Sequence, residues 1–138
     1  MANNLPSDLQ NVLPGPQLGD VKGLSDCIRN GQGRYGTGGI VASTTQTQAG
    51  GTSLVYGGNS ILTANASDAV TFPKAVAGTM LVIVNHSGQT ITAFPFLGDS
   101  INAAGANASV TIATATTSVY FSIASSTQWW GGAITNEA

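Results

Sequence analysis

His86 is the chain's one imidazole, and Ser87 follows it directly. A serine nucleophile needs a histidine base, an acid that orients the base, and donors for the developing oxyanion. Adjacent residues in a tight turn do not supply that geometry, and Asn85-His86-Ser87-Gly88 reads as a turn. The histidine is therefore expected to face solvent, and no catalytic residue is assigned. Metal chemistry lacks donors too. Four-ligand zinc sites draw on clustered Cys and His, whereas this chain has one of each, Cys27 and His86, far apart. No run of spaced Asp and Asn makes a calcium loop. Gly31-Gln32-Gly33-Arg34-Tyr35-Gly36 has the formal spacing G-x-G-x-x-G. That spacing holds a dinucleotide only between a strand and a helix. Here Arg29-Asn30 precede it and a Thr/Gln-rich strand follows, so it reads as a turn region, and no cofactor is expected.

Trp129-Trp130 is suited to different work. Exposed aromatic rings stack on sugars and anchor protein interfaces. Adjacent side chains in a strand point to opposite faces. One ring would thus lie inward and the other outward or against a neighbour. The plainer reading is preferred: both are expected to close the end of the core, as tryptophan is highly buried on average.

The supply of reactive groups is small throughout. Ten of the 138 residues are charged, or 7%, against about one quarter in an average soluble domain. From Asp68 to the end, the acidic and basic side chains are Asp68, Lys74, His86, Asp99 and Glu137. Catalysis draws mostly on such groups, so a structural or binding protein is expected and an enzyme is not. The net charge of −2 makes no electrostatic footprint for nucleic acid or an anionic membrane. The longest apolar run, Met80 to Val84, is far too short to span a bilayer. Met1 to Gln10 lacks the basic and apolar regions of a secretory signal. Cys27 cannot pair within the chain, implies no oxidising compartment and is left without a role. So few charges of either sign favour association over life as a free monomer.

The elements that would position these residues are strands. Residues 1–37 read as an extended N-terminal arm. They hold Pro14-Gly15-Pro16, which breaks regular structure, and the apolar residues Leu5, Leu9, Val12, Leu13 and Leu18, which need burial in this subunit or a neighbour. Residues 38–138 read as a β-sandwich domain. Ile40 to Thr47 is β-prone. Thr52 to Tyr56 and Ser60 to Ala64 read as two strands across Gly57-Gly58. Thr79 to Asn85 is the strongest strand, and its near-continuous apolar character suggests cover on both faces or an oligomer contact. Asn85 to Gly88 reads as a hairpin loop returning into Gln89 to Phe94. Ser109 to Ala113, Ser118 to Ala124 and Thr127 to Trp130 follow. Eight or nine short strands with frequent turns predict an all-β, antiparallel, jelly-roll-like sandwich. Leu81, Ile83, Val110, Ile112, Tyr120 or Phe121, and Ile123 are expected in its core.

The segments AVTFP (69–73), AGTMLVIVNHSG (77–88), TITAFPFLGDSIN (90–102), ASVTIA (108–113) and SVYFSIASSTQWW (118–130) carry a family resemblance. Together they resemble a module of tailed-bacteriophage virion proteins, and the chain's size looks most like a capsid cement, or decoration, protein. The resemblance covers roughly half the chain. It implies a homo-oligomer, a dimer with a trimer as the alternative, on the outer capsid surface of the virion. Its partner would be the viral major capsid protein, whose subunits it would cement together. The other reading is a receptor- or carbohydrate-binding domain of a phage tail fibre or spike. Leu5, Leu9, Val12, Leu13, Leu18, Trp129 and Trp130 are the expected interface residues.

Overall fold

The computed structural model describes residues 36–124 and 126–134, and the chain divides into two units between Arg34 and Tyr35. The arm residues Leu5, Leu9, Val12, Leu13 and Leu18, with Cys27 and most of the glycine run, lie outside the described residues. The described part is all-β, with ten strands and no helix. They are β1 (Gly36–Val41), β2 (Thr52–Ser53), β3 (Gly57–Thr63), β4 (Ala69–Thr71), β5 (Thr79–Asn85), β6 (Ile91–Phe94), β7 (Ser100–Ile101), β8 (Val110–Ile112), β9 (Thr116–Ser122) and β10 (Gln128–Ile134). Short β-branched runs separated by Gly, Pro and Asn favour this outcome, since no helical stripe persists among them. Pro73 and Pro95 follow β4 and β6 closely and cannot donate to a ladder.

Two sheets result. One has six strands in the order β1-β3-β5-β9-β10-β7, and the other has four, β2-β4-β6-β8. The expected wholly antiparallel pairing is not what forms. β1-β3, β3-β5, β2-β4, β4-β6 and β10-β7 are parallel, while β5-β9, β9-β10 and β6-β8 are antiparallel. The cause is the route of the chain. From β1 to β6 it changes sheet after every strand, so each strand lies beside the one before last, in parallel. Both predicted hairpins are corrected on the same ground. Gly57-Gly58 opens β3, while β2 pairs in the other sheet. Asn85 to Gly88 carries the chain from β5 to β6, again between sheets. Glycine and asparagine mark such corners as readily as hairpins.

Both sheets contribute to one hydrophobic cluster. Ile40, Ile61, Leu81, Ile83, Tyr120 and Trp129 come from the larger sheet, and Val70, Ile91, Ala93 and Ile112 from the smaller. Phe72 meets Tyr120 and Trp129 edge to face, with ring centroids 4.9 and 6.0 Å apart. Of the expected core, Leu81, Ile83, Ile112 and Tyr120 are buried and Val110 is partly so. Ile123 is 71% exposed, because β9 ends at Ser122 with its outward phase continuing past Phe121.

Buried polar groups are bonded. Asn85 donates through Nδ2 to the carbonyls of Gln89, Ile112 and Ala113 at 2.8, 3.2 and 3.1 Å, and its Oδ1 accepts from Ser87 Oγ at 2.7 Å. It thereby ties the corner after β5 to the end of β8. Asn59 donates to the carbonyls of Val55 and Gly57 and accepts from the Val55 N–H. Each such bond removes the cost of an unpaired buried group.

Candidate functional site

Register places outward side chains in rows across the larger sheet. Met80, Phe121 and Trp130 lie side by side in the first row. Gly58, Val82, Val119 and Gly132 form the second. Ser60, Val84, Thr117 and Ile134 form the third. Each row is two residues along from the last, or about 6.7 Å. All these side chains are half-buried or exposed, whereas the intervening Leu81, Ile83, Ser118, Tyr120 and Trp129 are buried. None of the six strands contains an acidic or basic residue. At about 4.8 Å between strands and 3.3 Å per residue, these three rows on four strands cover roughly 400 Å² in projection. That lies within the size of the largest apolar patch on an ordinary monomer, about 300–600 Å², which is often functional.

A second apolar surface lies on other elements. A cleft of about 450 Å³ is lined by Gln48, Leu54, Phe72, Lys74, Phe96 and Leu97, among others. Leu97 is 71% exposed at its rim. Lys74 forms an ion pair with the fully buried Asp99, which also accepts the Ala75 N–H at 2.7 Å. The Lys74 ammonium stands 5.7 Å from the centroid of the Phe96 ring, within reach of a cation–π attraction. The Tyr56 hydroxyl donates to the Lys74 carbonyl at 2.7 Å. Burial raises the Tyr56 pKa, the Asp99 charge raises it further, and Lys74 opposes both. Gln48 Nε2 closes the floor by donating to the Pro95 carbonyl and to Asn107 Oδ1 at 2.8 and 3.1 Å.

The tryptophans part company. Trp129 is fully buried, its Nε1 donates to the Pro73 carbonyl at 3.2 Å, and it offers no side-chain surface to a partner. Trp130 is 47% exposed on the outward face. His86 is exposed in the corner after β5, and its backbone N–H donates to the Ile61 carbonyl at 2.8 Å. Among the described residues, no three of His, Cys, Asp and Glu come together as metal ligands. No described helix is long and apolar enough to cross a membrane. Sequence reasoning missed Phe121 and Ile134 as surface residues and the cleft around Phe96. The usable signal was β5, whose run of apolar residues serves both faces.

No protein-family model, curated protein or solved structure matches this chain. The function must therefore be argued from the two apolar surfaces themselves.

Proposed function

We propose that this protein is a structural virion component that oligomerises on the outer surface of a capsid and cements major capsid protein subunits together. The observation that carries the reading is the presence of two separate apolar surfaces, the charge-free sheet face and the Phe96–Leu97 cleft. A protein that joins others needs at least two adhesive surfaces, and neither of these carries a constellation for chemistry. The architecture attached to this reading is a two-layer sandwich, favoured by the single cluster that both sheets share. The parallel runs β1-β3-β5 and β2-β4-β6 do not favour jelly-roll order.

Such attachment works by area burial and hydrogen bonding. A standard interface buries about 1,200–2,000 Å² in total, and repetition over a shell multiplies its effect. With few ions to pair, binding resists salt, in contrast to exposed ion pairs, which are screened over about 8–10 Å. Shells washed in molar salt are expected to keep the protein and to withstand more heat than bare shells. Equal heat resistance of coated and bare shells contradicts the cement role. A second reading, a receptor- or carbohydrate-binding domain of a tail fibre or spike, is favoured by one feature. The cleft sets an aromatic ring, Phe96, beside the polar groups of Lys74 and Gln48. Copy number separates the two, with hundreds per particle for a shell component and a handful for a tail component.

A further inference from the structure

We infer that the outward face of the six-stranded sheet is where two copies of this chain pack, with Trp130 of each copy over Gly132 of the other. The inference deepens the oligomeric half of the function proposed above and does not depend on the capsid.

The first support is the relief of the face. The row Met80–Phe121–Trp130 is a ridge of large side chains. The neighbouring row Gly58–Val82–Val119–Gly132 is low, with glycine at two of its positions. Consider a two-fold axis between two stacked sheets, running across the strands midway between these rows. It exchanges the ridge of one copy with the low row of the other. Trp130 then faces Gly132, Phe121 faces Val119, and Met80 faces Val82. A single symmetry element sets large against small along the contact, which is the requirement of an isologous interface. Stacked sheets also pack about 10 Å apart in natural proteins.

The second support is Gly132 itself. A Cβ added there would meet no atom of the chain within 4 Å, and its φ is not positive. Neither backbone conformation nor the fold's own packing asks for glycine at this point. Its neighbour Gly131 differs, for it has φ 153° and an added Cβ would run into the Val119 carbonyl. The gap over Gly132 opens outward, beside Trp130.

The third support is charge and area. A two-fold contact sets residue i of one copy against residue j of the other, and the six strands hold no acidic or basic residue that could meet a like charge across it. The rows' roughly 400 Å² in projection is about half of the ~800 Å² that one partner contributes to a standard interface, and the corrugation of Trp130, Phe121 and Met80 adds to it.

Sedimentation velocity of the full chain, without any shell present, tests the proposal. The native protein is expected to run at twice the chain mass. Gly132→Arg is expected to dissociate roughly 100-fold more readily while keeping its near-ultraviolet circular dichroism. Leu97→Arg, in the cleft, is expected to remain dimeric. Should Gly132→Arg fail to fold, Trp130→Glu, already half in water, is expected to give the same monomer. A native monomer at tens of micromolar, a native trimer, or a folded variant at either position that dimerises like the native chain would overturn the proposal. A monomer that still coats shells would overturn it and leave the cement reading standing. A dimer that binds no shell would do the reverse.

Discussion

The two faces of the six-stranded sheet invert the ordinary expectation. The inward face mixes Leu81, Ile83, Tyr120 and Trp129 with the buried polar residues Asn59, Asn85, Ser118 and Ser122. The outward face sets Met80, Val82, Val84, Val119, Phe121, Trp130 and Ile134 toward solvent. Side-chain polarity alone does not tell inside from outside here. The inner face tolerates amides because their hydrogen bonds are made, as at Asn85 and Asn59. The outer face is apolar without a second sheet from the described residues to cover it. An inner face is thus defined by what packs on it, and the apolar outer face is the ground on which a second copy is proposed.

Paired substitutions sharpen that contrast. The largest effect is expected at the adjacent tryptophans. Trp129→Ala should cost about 3–5 kcal/mol through transfer and cavity terms. Trp130→Ala should change the unfolding of the isolated chain by less than about 1 kcal/mol while weakening self-association. Similar losses at both positions in denaturant titrations would erase the distinction between the faces. Next come neighbours in β5. Ile83→Ala should cost about 2–5 kcal/mol, and Val84→Ala, on the outer face, clearly less in the same titration.

A smaller effect is expected at the inner amide. Asn85→Ala leaves the Gln89, Ile112 and Ala113 carbonyls without this donor and should cost about 1–3 kcal/mol. A neutral outcome would mean that the corner after β5 is held by other contacts. The smallest is a slope with pH. Burial holds the Tyr120 hydroxyl above its ordinary pKa, with the Ser118 hydrogen bond opposing. The unfolded chain therefore ionises first. Stability is full below pH about 10 and declines as pH rises beyond it. Thermal melts of Tyr120→Phe between pH 8 and 11 should show a flatter decline than the native chain.

Much of the fold was legible in residue patterns. Among the described residues, the absence of helix followed from the glycines and β-branched residues. The alternation in Ser118 to Ser122 left Tyr120 and Phe121 as alternatives for the core, because Ile123, in the phase of Phe121, also read as inward. The topology was not legible. Gly57-Gly58 and Asn85-His86-Ser87-Gly88 announce a corner, but no local signal says whether the next strand joins the same sheet or the opposite one. The outward face was half-legible. Met80 to Val84 reads as apolar on both phases, yet the partners that complete its rows, Phe121 and Trp130, come from strands 36 or more residues later. The cleft was hidden for the same reason, since Gln48, Lys74 and Phe96 meet only through long-range packing.

The central claim is that the outward sheet face is buried against a second copy, and the chain's two tryptophans report on it directly. Acrylamide quenching of their fluorescence should be compared between the native chain and Gly132→Arg at the same concentration. Trp129 is expected to be protected in both. Trp130 is expected to be protected in the native chain and quenched in the variant. A native chain whose Trp130 is as freely quenched as in the variant, at concentrations up to hundreds of micromolar, would contradict the account.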